Sequence, residues 1–193
     1  MTTATSTRPE THSRTHPILA FLDRSILRER RMEALWKRAA RGDFGEEICE
    51  EFLFEAYEDR EHARILRRHR ATVVRSLGGV RRAPGSRATK VGRTFTPSDA
   101  LAEALALKAA SRADYLGMSR FIPDRYLRKF VEVLASAEDE ALPRLLERGR
   151  EFGVRPRPPE PHRAALLRPR VPDEQELRSM DLTGSELPSL AFA

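Results

Sequence analysis

Tyr57-Glu58-Asp59-Arg60-Glu61-His62-Ala63-Arg64-Ile65-Leu66 is the stretch whose reading decides the fold. It sets a carboxylate, Asp59, and an imidazole, His62, three residues apart, a spacing that puts both on one face of an α-helix. That face extends in both directions through Ile48, Phe52, Glu55, Asp59, His62, Leu66, His69 and Val73, in alternating steps of four and three. Such a stripe is the inward seam of a packed helix. Ionisable groups on a seam are costly to bury unless they are paired, protonated or bound to a metal.

Upstream, Ile18, Leu22, Ser25, Glu29, Met32, Trp36 and Ala39 repeat the same steps, so Glu29 also faces inward. Pro17 suits a first helical turn and Gly42 a C-terminal stop, which predicts a helix over about 17–41. Asp43-Phe44-Gly45-Glu46 reads as a capping box that opens a second helix, about 44–77, ending at Gly78-Gly79. So short a join predicts an antiparallel hairpin. With its turn near residue 42, Glu29 falls nearly opposite Glu55 and within about a turn of Asp59, at ~1.5 Å rise per residue.

Downstream, residues 78–95 are rich in Gly, Pro, Arg and Lys and form a loop long enough to cross an end of a bundle, or its side. Thr96-Pro97-Ser98-Asp99 is a strong helix start, giving a third helix over about 97–121. Pro123 opens a fourth, about 123–152, with Leu127, Val131, Leu134, Glu138, Ala141 and Leu145 on one stripe. Pro143 should kink it and Gly153 ends it. No strand pattern occurs. The expected fold is all-α, an antiparallel, up-down four-helix bundle over 17–153. A disordered arm (1–16) precedes it and a Pro/Arg-rich tail (154–193) follows, closing in an apolar-polar peptide at 181–193.

Of 193 residues, 40% are hydrophobic and 33% charged, enough for one core under a heavily solvated surface. The net charge of +6 raises the prospect of an anionic partner. Arg64, Arg67, Arg68, Arg70 and Arg75 could form a phosphate-facing patch, but they fall on several faces of the second helix, which disfavours nucleic acid. The single cysteine, Cys49, excludes an intramolecular disulfide and a cysteine-based metal cluster. Without a leader-like apolar segment or a membrane-length run, a soluble, cytoplasmic protein is expected. There is no Gly-rich phosphate loop, nucleophile elbow or Cys-His pair.

Two carboxylates and an imidazole converging inside a bundle make a donor set suited to iron or manganese. Glu29 in helix one, followed by an acid-x-x-His pair in helix two within Glu58-Asp59-Arg60-Glu61-His62-Ala63, resembles the ferritin-like superfamily, its rubrerythrins and encapsulated ferritins included. The resemblance covers about 17–153 and implies Fe(II) binding with oxidation by O₂, a ferroxidase-type activity. It implies Glu29, Asp59 and His62 as ligands, with Glu55, ahead of Glu58, as the reserve carboxylate. It also implies a Glu from helix three and a second Glu-x-x-His from helix four. Here helix four offers Glu138, but Ala141 stands where His is expected, and helix three has Ala110 and Asp114 near the expected Glu. If helix three turns Ala110 inward, Glu103 turns inward too and becomes the best ligand candidate from the second hairpin.

The half-site could be completed across a homodimer, and the resemblance to encapsulated ferritins implies delivery to a protein shell through 181–193. The competing expectation is a metal-free scaffold acting as a structural or interaction protein, with Asp59 and His62 satisfied by Arg30, Arg60 or Arg64.

Overall fold

The computed structural model describes residues 16–78 and 95–157. The chain there is all-helical. Helix α1 spans Pro17–Ala39, α2 Glu46–Ser76, α3 Pro97–Ser119 and α4 Arg125–Glu151, and the described residues contain no strand. The expected arm, the loop at 79–94 and the tail from 158, including the peptide 181–193, lie outside the described residues.

Local chemistry sets the helix ends. Pro17 starts α1, where its missing N–H costs nothing. The capping box expected at Asp43–Glu46 does not form. The N-cap of α2 is Gly45, whose side chain offers no oxygen and whose φ of 87° only glycine adopts readily. Glu46 and Glu47 instead place negative charge at the positive end of the helix dipole. Phe44, just before the turn glycine, packs edge-on against Phe52 and Phe152 at ring separations of 5.7 and 4.8 Å. At α3 the capping box is complete: the Thr96 hydroxyl accepts from the Asp99 N–H, and the Asp99 carboxylate accepts from the Thr96 N–H. Helix α4 begins after Pro123, with Asp124 as N-cap accepting from the Leu127 N–H at 2.6 Å. It runs on through Pro143.

Pairs of contacting residues fix the directions. Across α1 and α2, Asp23 meets Arg70, Glu29 meets His62 and Trp36 meets Phe52, so the two run antiparallel. Across α1 and α3, Arg31 meets Glu103 while Arg24 and Arg28 meet Asp114, again antiparallel. Arg112–Asp139 with Leu105 beside Gly149, and Glu55–Arg144 with His69–Phe130, make α4 antiparallel to both α3 and α2. Every neighbouring pair is therefore antiparallel, but α3 runs the same way as α2. The order is up-down-down-up rather than strictly up-down.

The join between α2 and α3 has its two ends at opposite ends of the bundle. Leu77 follows the α2 terminus that lies beside the start of α1. Phe95 accepts a hydrogen bond from Arg38, near the end of α1, at 2.8 Å. A helix of this size is ~35 Å long at 1.5 Å per residue, and the intervening chain can cover that span.

The interior is two apolar half-cores with a polar belt between them. One, near the start of α1, gathers Ile18, Leu22, Leu66, Tyr115, Leu127 and Val131. The other gathers Trp36, Phe52, Leu101, Leu105 and Leu145. Trp36 is fully buried and stacks on Phe52 at 5.5 Å. Residues 154–157, after α4, are irregular but pinned: the Arg157 N–H donates to the Ala102 carbonyl at 2.8 Å and Val154 is buried.

Candidate metal centre

The polar belt is built by stripe positions on all four helices. Glu29 of α1, Glu55 and Asp59 of α2, Lys108 of α3 and Glu138 of α4 are each at most 2% exposed. His62 sits at the rim with its side chain 17% exposed. One ligand atom from each of Glu29, Asp59, His62 and Glu138 lies within 4.8 Å of the others. The expected trio of Glu29, Asp59 and His62 is thus brought together, and α4 supplies a third carboxylate.

Glu55 and Glu103 stand elsewhere. Glu55 is in the belt but outside the four-donor group: Lys108 Nζ lies 2.7 Å from one oxygen and Arg144 3.1 Å from the other. Glu103 does not reach the belt. It is held in a buried two-point pair by Arg31 at 2.7 and 3.1 Å, on the α1 side of α3. Asp114 faces the same way and binds Arg24 and Arg28, at 3.0 Å each. Helix α3 is therefore rotated so that its acidic residues meet the α1 arginines and Lys108 enters the belt. Ala110, where the ferritin-like pattern would have a Glu, is half-buried and its carbonyl accepts from Arg28 at 3.3 Å. The carboxylate that the second hairpin adds is Glu138, not Glu103.

Lys108 had not been anticipated, although a signal was present. Leu101, Ala104, Lys108, Ser111, Tyr115 and Met118 step by three and four and are all buried, so α3 has its own inward stripe with a lysine at its centre. The ammonium contacts Glu55 at 2.7 Å, Glu138 at 3.2 Å and Asp59 at 3.4 Å. The ammonium donates a hydrogen bond to Asp59 and forms ion pairs with all three carboxylates. The expected arginine partners of Asp59 and His62 are replaced accordingly. Arg64 pairs with Glu61 at the surface, whereas Asp59 pairs with Lys108 and His62 with Glu29.

The electrostatics follow from burial and proximity. Glu29 accepts a short hydrogen bond from the Tyr115 hydroxyl and lies 3.4 Å from His62 Nδ1. Burial alone would raise its pKa, but His62 and then Tyr115 hold it below the ordinary carboxylate value. Burial would lower His62, and Glu29 overrides it and raises it. Desolvation pushes Asp59 well above a normal aspartate and Glu138 up to about 7. Burial would likewise lower Lys108, but Asp59, Glu138 and Glu55 keep it charged, well above the usual amine range. Burial and the Glu29 carboxylate push the Tyr115 hydroxyl well above 10, so it remains a donor.

Four buried carboxylates thus surround one buried ammonium and one imidazole, with the half-exposed Arg144 reaching Glu55 at the edge. Asp59 and Glu138 show the same division: one oxygen of each faces Lys108, while Asp59 Oδ2 and Glu138 Oε1 are buried with no hydrogen-bond partner among the described residues. Orphaned carboxylate oxygens, hard donors and an imidazole are the set that accepts a divalent iron or manganese ion. The residues fit such an ion.

Other expectations resolve simply. His69 stacks on Phe130 at 5.2 Å, with Asp124 near enough to act on its charge. Cys49 is half-buried and its thiol lies 3.5 Å from the Gly42 carbonyl. Arg70 is buried against Asp23, Arg75 hydrogen-bonds Ala71 and Thr72 of its own helix, and Arg67 and Arg68 are exposed, so the α2 arginines form no single face. No helix among the described residues is long and apolar enough to cross a membrane.

Fold and site together define a four-helix bundle with a buried carboxylate–imidazole–ammonium belt. No protein-family model matches the chain, and neither a curated protein nor a solved structure matches it.

Proposed function

We propose that the protein is a ferritin-like metal-binding bundle that takes a divalent transition ion, iron or manganese, on Glu29, Asp59, His62 and Glu138. The observation that carries this reading is the convergence of one donor atom each from Glu29, Asp59, His62 and Glu138 within 4.8 Å, with Asp59 Oδ2 and Glu138 Oε1 lacking a hydrogen-bond partner among the described residues. The helix order adds support, because one long crossover in a four-helix bundle is the ferritin-like arrangement. All four donors belong to one chain, so the reading needs no second copy to complete the site. Ferrous iron held there would bring the capacity for oxidation by O₂.

The chain's own residues prepare the site. Tyr115 donates to one Glu29 oxygen and leaves the other toward His62. Glu29 is thereby kept ionised in an apolar setting. Burial raises the Asp59 and Glu138 carboxyls and Glu29 raises the His62 imidazole, so a metal ion held there would compete with protons. Lys108 fixes one oxygen of Asp59 and one of Glu138, which limits how far either carboxylate can turn. The half-cores on both sides exclude water and strengthen every charge interaction in the belt.

A second reading is favoured by Lys108 itself. Its ammonium is already a cation among carboxylates, and a bundle with such an internal counter-charge can stand as a metal-free interaction scaffold. Elemental analysis of untagged protein separates the two. Iron or manganese near one ion per chain, lost in His62→Ala with helix content retained, supports the metal site. Absence of metal in both proteins supports the scaffold.

A further inference from the structure

We propose that the belt contains two cation positions and that the Lys108 ammonium permanently fills one of them. The inference deepens the metal-binding reading and rests on it for the other position. The two positions share Asp59 and Glu138. Each turns one oxygen to Lys108, at 3.4 and 3.2 Å, and leaves its second oxygen buried without a hydrogen-bond partner among the described residues. A carboxylate divided in this way is a bridge between two positive centres, one present and one to be supplied.

The outer donors divide along the same line. Glu29 and His62 group with Asp59 and Glu138, one donor atom of each lying within 4.8 Å of the others, and neither contacts Lys108 by an ion pair. Glu55 stands with the ammonium, 2.7 Å from it. On the Lys108 side the donors are Glu55, Asp59 and Glu138. These are hard oxygens that pair with the ammonium and would equally ligate a divalent ion.

Lys108 cannot leave this position by a simple rotation. It is 2% exposed, lies on the buried stripe of α3 between Ala104 and Ser111, and all three of its contacts are carboxylates. A covalently tethered cation cannot be removed by a chelator or displaced without exposing an ammonium to an apolar interior. The chain therefore carries a one-metal site of fixed stoichiometry, in which Lys108 supplies the second positive charge.

The test is calorimetric titration of Mn(II) into the chelator-stripped full chain, for wild type and Lys108→Met. One Mn(II) in wild type and two in Lys108→Met is the expected result. Equal counts in the two proteins overturn the role of Lys108, as do two ions in wild type. None in wild type but one in Lys108→Met keeps Lys108 as a built-in cation and rejects the resident metal. Because four carboxylates without their ammonium repel one another, Lys108→Met can unfold when stripped. Circular dichroism with added Mn(II) covers that case. Recovery of helix content with Mn(II), absent in the same buffer without Mn(II), is expected, and failure to recover overturns the inference.

Discussion

Glu138→Gln tests the energetics of the belt through pH. Glu138 is 1% exposed, and burial is the largest influence on its carboxyl, raising it from 4.5 to about 7 even with Lys108 beside it. A group whose folded-state pKa is raised holds its proton more tightly folded than unfolded. Its stabilising contribution is full below about 4.5 and is lost as pH rises through about 7. The gap between those values, at ~1.36 kcal/mol per pH unit, amounts to roughly 3 kcal/mol over the whole window. Glutamine carries no proton to lose, so its contribution is flat. Chelator-treated wild type and variant would be unfolded in urea at pH 5 and pH 8, followed by circular dichroism. From pH 5 to pH 8 the variant should gain on wild type by roughly 2–3 kcal/mol, or about 1 M in urea midpoint for an m-value of 1–3 kcal/mol/M. A constant difference at the two pH values would refute the claim that Glu138 is destabilised by its buried charge.

Two other changes probe the scaffold that holds the belt. Asp114→Ala removes the shared carboxylate of Arg24 and Arg28, the second of which is fully buried. It should cost about 3–5 kcal/mol, because an unpaired buried charge is left behind; a loss under about 1 kcal/mol in urea unfolding would show that the α1–α3 seam does not depend on it. Trp36→Ala empties the stacked contact with Phe52 in the second half-core and should cost about 3–5 kcal/mol. The same assay measures it, and the secondary structure of the folded fraction should be unchanged.

Much of this architecture could be read in the residue pattern, for a physical reason. The alternating stripe of α1 and most of that of α2 are buried as the spacing required, although α1 also buries Phe21, Arg28 and Leu35 off that stripe. The same periodicity brought Glu29 to His62 and kept Asp59 inside. Helix ends were less legible. The Asp43–Glu46 box failed because the turn needed a positive φ at Gly45, which displaced the capping role. The direction of α3 could not be read from a loop length that suits either an end or a side crossing. Its rotation was also hidden, since buried residues occur all around it: Glu103 and Asp114 face α1 while Lys108 and Tyr115 face the belt. A helix with two buried faces gives periodicity little to choose between. The choice was made by charge, with the α1 arginines drawing the acids to one side and the belt carboxylates drawing the lysine to the other.

The central claim is that a metal ion belongs between Glu29, Asp59, His62 and Glu138. Anomalous diffraction from crystals grown with Mn(II), using the full chain, tests it most directly. The account predicts one peak within coordination distance of those four side chains, on the side of Asp59 and Glu138 away from Lys108. No peak in the belt, or a peak only at surface carboxylates, would contradict it.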